Sequence, residues 1–143
     1  MNSRRAGFLG LDIGGSSSRA RLVEHGSIVA EADGPGANVA VLPRHTVEGR
    51  LGTLLDAIGP MSPDVCCAGS AGAEVPAGRE RLEQLLAELL PGCRIMVVHD
   101  ARLVLAAGGF DSGIALVSGT GSVAYGRDPE GREARAGGAT SFA

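Results

Sequence analysis

The 143-residue sequence has no Trp, one Tyr and three Phe, so aromatic side chains can contribute little to a core. Hydrophobic residues still make up 44 % of the chain and charged residues 20 %, which is typical of a globular domain. The core must therefore consist of Val, Leu, Ile and Ala, and the 23 glycines indicate many tight turns. A chain of this length can hold one ordinary domain and little more.

The sequence argues against nucleic acid, membranes and cysteine metal sites. A net charge of -3 without any basic run argues against nucleic acid binding. No apolar stretch is long enough to span a bilayer, and the apolar run 6–11 is too short for a signal peptide, so we expect no membrane partner and a cytoplasmic location. The cysteines Cys66, Cys67 and Cys93 lack the Cys-x-x-Cys spacing of metal sites, and we expect buried thiols.

Apolar segments and glycine turns predict two similar groups of strands with alternating helices and strands between them. The first group is a three-stranded meander over 7–32, and the second covers 114–136. A leucine stripe over 82–90 predicts the clearest helix, and Thr46 is the expected N-cap of an earlier one. Strands separated by helices should run parallel in one sheet, which predicts an α/β fold. We place the division between two domains after Gly109, giving 1–109 and 110–143.

The two groups of strands share a layout that indicates phosphate binding. In each, an apolar strand leads into a turn of glycine and hydroxyl residues, and two further strands follow. The turns consist of Gly14, Gly15, Ser16, Ser17 and Ser18 in one group and of Gly119, Thr120, Gly121 and Ser122 in the other. Backbone N–H groups of a turn without Cβ atoms can approach anionic oxygens, and the hydroxyls add donors. Two such turns could clamp a polyphosphate, and the internal similarity suggests duplicated halves.

Two other phosphate-binding motifs fit the sequence less well. The pattern Gly-x-x-x-x-Gly-Lys-Ser/Thr is absent, which excludes a P-loop NTPase. Residues 119–124 match Gly-x-Gly-x-x-Ala, but in dinucleotide-binding folds that motif opens a helix. Gly126 and the turn 128–131 would break such a helix, so the sequence argues against dinucleotide binding.

The segments around both turns resemble the two phosphate motifs of the actin and sugar-kinase superfamily. Residues 8–19 (FLGLDIGGSSSR) resemble the first motif, and residues 114–126 (IALVSGTGSVAYG) resemble the second. The pattern is closest to the N-acetylglucosamine kinases, which are grouped with the BadF/BadG/BcrA/BcrD ATPases, and the loop 34–38 and the strand end 99–101 also resemble that branch. The resemblance implies an actin-like ATPase (ribonuclease H-like) domain, with a mixed sheet and flanking helices, followed by the first three strands of a second similar domain.

The resemblance also implies ATP-dependent phosphoryl transfer to a sugar hydroxyl, with an amino sugar as substrate and Mg²⁺ as a cofactor. Asp12 resembles the carboxylate that holds hydrated Mg²⁺, and both glycine turns would bind the ATP phosphates. Asp100 resembles the general base that takes a proton from the sugar, and it would contact the substrate. Asn38 resembles a sugar ligand, and Gly137 and Gly138 would complete the substrate cleft.

Each of these side chains also has a structural explanation. Asp12 could be a solvent-facing carboxylate at a strand end, and Asp100 could cap the helix that follows it. Asn38 lies in a Pro-Gly loop, where Asn is common. His99 stands next to Asp100 like a catalytic partner, but a structural histidine is the more ordinary interpretation.

The sequence departs from the family pattern after Gly138, where the usual Trp-Gly stretch and the adenosine-binding motif are missing. We therefore expect a truncated kinase, and whether this chain alone turns over ATP stays open. Two alternatives stay open: a non-catalytic module that binds sugar or phosphate, and an ATPase that activates a partner enzyme. The strand 114–117 has the composition of a strand buried on both faces, so without the rest of its domain it should be exposed and promote a homodimer.

Overall fold

The computed structural model describes residues 7–118 and 122–137, which form two compact units that divide between Asp100 and Ala101. Four of the predicted site residues lie outside the described residues: Gly119, Thr120, Gly121 and Gly138.

The first unit is built on a five-stranded mixed sheet. Its strands are β1 (Gly7–Ile13), β2 (Ser17–Glu24), β3 (Ser27–Pro35), β4 (Val65–Ser70) and β5 (Arg94–His99). Their order across the sheet is β3-β2-β1-β4-β5. β2 is antiparallel to both β1 and β3, whereas β4 is parallel to both β1 and β5. The predicted meander and the predicted parallel strands therefore belong to the same sheet.

Two helices connect the parallel strands of this sheet. α1 (Arg44–Ile58) leads from β3 to β4, and α2 (Pro76–Leu89) leads from β4 to β5. Both connections move in the same direction across the sheet, so right-handed crossovers place both helices on the same face. Buried side chains of both helices accordingly share one core with alternate residues of β1: Leu9, Leu11, Ile13, Val47, Leu51, Leu82 and Leu86.

The start of α1 differs from the sequence prediction, because Thr46 is not its N-cap. Pro43 occupies the N-cap position and Arg44 is the first helical residue, while the N–H of Thr46 donates to the Pro43 carbonyl at 3.0 Å. The fixed φ of proline suits the entry into a helix, and this N-terminus has no side-chain capping hydrogen bond. In α2, Pro76 takes the first helical position, where its missing N–H leaves no bond unmade.

The second unit contains α3 (Asp100–Ala107), which begins at the last residue of the first unit, and a three-stranded antiparallel sheet. The strands are β6 (Gly113–Ser118), β7 (Ser122–Arg127) and β8 (Glu133–Gly137), in that order. Ala115 of β6 is buried, whereas Ile114 and Leu116 are each 75 % exposed. The apolar surface expected on this strand is therefore present. The domain division after Gly109 and the homodimer stay predictions. Within the parts of the chain that the structure describes, no helix is long and apolar enough to cross a membrane.

Candidate functional site

The parallel strands of the first unit end together at one edge of the sheet, where α/β folds usually bind ligands. Asp12 is the penultimate residue of β1, and Asp100 directly follows β5. Asn38 follows β3, which runs parallel to β1 because β2 is antiparallel to both. The topology thus brings three of the predicted site residues to the same edge.

The first glycine turn closes tightly between β1 and β2. The N–H of Gly14 donates to the Ser17 carbonyl at 2.9 Å, and a Cβ on Gly14 would lie only 2.8 Å from that oxygen. A Cβ on Gly15 would meet no described atom within 4 Å. The turn itself therefore requires glycine at position 14 but not at position 15.

The loop after β3 rests directly on this turn. The N–H groups of Gly36 and Ala37 donate to the carbonyls of Ser16 and Gly14, at 3.0 and 3.1 Å. A Cβ on Gly36 would lie 2.0 Å from the Gly15 carbonyl oxygen, so the two backbones touch. The Gly14 carbonyl, which accepts the Ala37 N–H, belongs to the same peptide unit as the Gly15 N–H. Because the C=O and N–H of a trans peptide point in opposite directions, the N–H of Gly15 points away from this loop.

The three serines of the turn have different surroundings. Ser16 and Ser17 are exposed, as a phosphate-binding role would require. Ser18 is only 3 % exposed because alternate residues of β2 face the core, and its hydroxyl has no hydrogen-bond partner among the described residues. Strand alternation thus places the Ser18 side chain on the face of the sheet that carries the core.

The Asn38 amide is oriented by its own loop. Its Oδ1 accepts a hydrogen bond from the N–H of Ala40 at 2.9 Å, which leaves the amide NH₂ as the donor group of this side chain. Gly72, in the loop after β4, has a φ of +91°, and a Cβ there would lie 2.7 Å from Asn38 Oδ1. Gly72 therefore allows the loops after β3 and β4 to meet, a role that the sequence analysis missed.

The carboxylate of Asp12 responds to two charged neighbours at this edge. Partial burial raises the pKa of Asp12, the charge of Asp100 raises it further, and Arg19, its cross-strand neighbour, lowers it. Arg19 also forms an ion pair with Asp33 at 2.7 Å. A divalent cation would relieve the repulsion between the carboxylates of Asp12 and Asp100, so the residues fit a magnesium site. The described residues contain no group of three or more His, Cys, Asp or Glu side chains suited to a metal.

His99, the last residue of β5, lies between two acidic side chains. Its side chain is 10 % exposed, with Nδ1 3.2 Å from Asp100 Oδ1 and Nε2 3.9 Å from Glu74 Oε2. Glu74 Oε2 in turn accepts the N–H of Gly72 at 2.8 Å. The sequence offered no signal for Glu74, since this contact joins the loop after β4 to the end of β5.

Two predicted site residues of the second unit lie on neighbouring strands. Ser122 is the first residue of β7, and Gly137 is the last of β8. Gly137 has a φ of +81°, and a Cβ there would lie 2.5 Å from the Ser122 carbonyl oxygen. Glycine is therefore required at position 137 by the sheet itself.

The strand order, the same-face helices and the shared edge define an actin-like ATPase fold, and solved structures confirm it. A protein from Chromobacterium violaceum, provisionally identified as an N-acetylglucosamine kinase, matches 96 % of this chain with a TM-score of 0.76 and 25 % identity. A protein from Porphyromonas gingivalis with the same provisional identification matches 85 % with a TM-score of 0.75 and 28 % identity. The matches cover 50 % and 44 % of those two chains.

More specifically, the chain belongs to the BadF/BadG/BcrA/BcrD ATPase family, whose sequence model matches residues 9–143. It is also 34 % identical over 140 residues to an N-acetylmuramic acid/N-acetylglucosamine kinase from Clostridium acetobutylicum. That alignment covers 91 % of this chain and 45 % of the kinase, so the chain spans about half the length of this relative. The resemblance that the two glycine turns indicated is thereby confirmed.

Proposed function

We propose that this chain provides the front part of an ATP-dependent kinase that phosphorylates a hydroxyl group of an N-acetylated amino sugar. The observation that supports this most is the convergence of Asp12, Asn38 and Asp100 at one edge of the sheet in a member of this ATPase family. The choice of sugar follows the Clostridium acetobutylicum relative, which is named for two N-acetylated amino sugars.

The first glycine turn would bind the phosphates of ATP. The space beside Gly15 and the direction of its N–H suit the approach of an anionic oxygen, and the exposed hydroxyls of Ser16 and Ser17 add donors. In the second unit, residues 119–122 stay predicted ligands of ATP phosphates. Asp12 would hold Mg²⁺ through water, and the ion would neutralise phosphate charge.

The sugar would lie between Asn38 and Asp100. The hydrogen bond from the Ala40 N–H to Oδ1 fixes the orientation of the Asn38 amide, and the NH₂ group can then donate to a sugar oxygen. Asp100, at the start of α3, would accept the proton of the attacking hydroxyl. Gly137 and Gly138 stay predicted substrate residues.

The test combines calorimetry on this chain with a kinase assay on a protein that carries this chain followed by the rest of the kinase. We expect the wild-type chain to bind N-acetylglucosamine and ATP–Mg²⁺, and the longer wild-type protein to form sugar phosphate. Asp100→Asn should lower kcat by at least about 100-fold, because a general base contributes roughly 10²–10⁴ to the rate, while sugar affinity changes little. Asp56→Asn, at an exposed position of α1, is the matched control and should keep full activity.

The alternatives give different results in the same experiment. Sugar binding without nucleotide binding or turnover would favour a non-catalytic module. Wild-type rates in Asp100→Asn would contradict the assignment of the base. Iron or sulfide in the purified protein would favour an activator of a partner enzyme, although Cys66 is buried and its pKa is raised to about 12, which disfavours a thiolate ligand.

A further inference from the structure

We propose that His99, whose ring lies between Asp100 and Glu74, is a positioning residue that fixes the orientation of the Asp100 carboxylate. The proposal rests on the proposed role of Asp100 as the base. The observation that supports it is the position of the nearly enclosed His99 imidazole between the carboxylates of Asp100 and Glu74.

The imidazole of His99 is almost enclosed, with 10 % of the side chain exposed, whereas Glu74 and Asp100 are 32 % and 39 % exposed. Nδ1 lies 3.2 Å from Asp100 Oδ1, which is within hydrogen-bond range. Nε2 lies 3.9 Å from Glu74 Oε2, which is beyond hydrogen-bond range. The ring is therefore tied to Asp100 more closely than to Glu74.

The contact between His99 and Asp100 matters because Asp100, the proposed base, is the first residue of α3 and its carboxylate can rotate. An N–H from Nδ1 to Oδ1 selects one orientation, and this orientation also sets the direction of the second oxygen. The proposal needs only a proton on Nδ1, which both the neutral Nδ1–H tautomer and the imidazolium supply. The role of His99 is therefore to orient the carboxylate and not to exchange protons with the substrate.

The same contacts connect the base to the sugar loop. Glu74 Oε2 accepts the N–H of Gly72 at 2.8 Å, and Gly72 packs against Asn38 Oδ1. A continuous row of contacts thus runs from Asp100 through His99, Glu74 and Gly72 to Asn38. The two residues proposed to touch the sugar are therefore connected through the loop after β3, the loop after β4 and the end of β5.

Three substitutions of His99 separate orientation from packing. The amide nitrogen of His99→Asn lies near the position of Nδ1 and keeps a donor for Asp100. His99→Gln places its amide nitrogen near the position of Nε2, towards Glu74, and His99→Leu has no donor. Since small displacements of a catalytic group can cost up to about 10²-fold, we expect kcat to fall about 10- to 100-fold in His99→Leu and His99→Gln. In His99→Asn, kcat should stay within about 3-fold of wild type, and KM for the sugar should change little in all three.

Equal losses of kcat in His99→Asn and His99→Leu would overturn the proposal, because the imidazole would then act by packing alone. A rise in KM with unchanged kcat would overturn it as well. Glu74→Gln keeps the side-chain shape and an acceptor for Gly72, so it should lower kcat less than His99→Leu does.

A second measurement does not depend on turnover. Nitrogen-15 NMR of the imidazole rings, assigned with His99→Leu, should show a proton on Nδ1 of His99. An unprotonated Nδ1 would overturn the proposal even in an active kinase. A protonated Nδ1 in a chain that phosphorylates no amino sugar would support the contact with Asp100 and contradict the proposed function instead.

Discussion

Replacing Gly36 with Ala would place a methyl group where the Gly15 carbonyl already lies. The added Cβ would be 2.0 Å from the carbonyl oxygen and 2.3 Å from the carbonyl carbon, although Cβ atoms essentially never come closer than 3.0 Å to another heavy atom. The loop after β3 must therefore move by about 1 Å away from the glycine turn. The φ of Gly36 is not in the left-handed region, so the cost arises from this contact and not from backbone strain.

The movement also acts on the hydrogen bonds that hold the loop. Two backbone bonds join the loop to the turn, from the N–H groups of Gly36 and Ala37 to the carbonyls of Ser16 and Gly14, and the added Cβ would lie 2.8 Å from the Gly14 oxygen. Each such bond contributes about 0.5–1.5 kcal/mol net, and overpacking costs about 1–3 kcal/mol. We therefore expect Gly36→Ala to lower the free energy of unfolding by about 2–6 kcal/mol, a large share of the roughly 5–15 kcal/mol of a typical domain.

Urea denaturation followed by far-ultraviolet circular dichroism measures this loss. Gly15→Ala is the matched control within the same turn, and its open surroundings predict a change below about 0.5 kcal/mol. Gly49→Ala, in the exposed interior of α1, should instead stabilise the protein by about 0.5–1 kcal/mol. A loss below about 1 kcal/mol for Gly36→Ala, or equal losses for Gly36→Ala and Gly15→Ala, would refute the contact between loop and turn.

The remaining predictions concern the core and the titrating groups. Leu82→Ala removes a fully buried side chain of α2 and should cost about 2–5 kcal/mol in the same urea assay, whereas a loss below about 1 kcal/mol would contradict its burial. Burial raises the pKa of Cys66 to about 12, so iodoacetamide at neutral pH should modify this thiol far more slowly in the native protein than in urea. Burial also raises the pKa of Tyr125, the sole tyrosine, to about 12, so its absorbance titration should have a midpoint well above the usual value of about 10. Because native Tyr125 holds its proton longer than the unfolded chain, stability should fall as pH rises from about 10 to 12, and a midpoint near 10 would contradict this. Burial and the charge of Asp100 raise the pKa of Asp12 above 3.8, so stability should fall as pH rises above that value, and Asp12→Asn should remove this part of the pH dependence.

Much of the fold follows from short-range patterns in the sequence. The leucine stripe predicts α2 because its spacing is that of one helix face, and the glycine turn at 14–18 predicts the β1–β2 hairpin. The parallel strands follow from the helices between them, and so does the shared edge of Asp12 and Asp100. These inferences need only local composition and connection rules.

The finer geometry of the site depends on contacts between distant segments. Nothing near Gly36 in the sequence shows that its Cβ position coincides with the Gly15 carbonyl, because the contact depends on how β3 pairs with β2. The surroundings of His99 are set in the same way by Glu74, which lies in the loop after a neighbouring strand. The sequence alone could not separate a structural histidine from one that orients a carboxylate.

Adjacent glycines show what the structure adds to the phosphate-binding hypothesis. Glycine is required at position 14 for a structural reason, since an added Cβ would collide with the Ser17 carbonyl. At position 15, neither φ nor any described neighbour requires glycine. If Gly15 serves the approach of a phosphate, Gly15→Ala should keep the stability of the fold and lose affinity for ATP–Mg²⁺, because the methyl group would occupy the space of the ligand. Calorimetry on the folded variant measures this, and unchanged nucleotide affinity would show that the turn holds no phosphate at this position. A loss of ATP affinity without a loss of stability would show that Gly15 makes room for the phosphate, whereas Gly14 is needed for the hairpin turn.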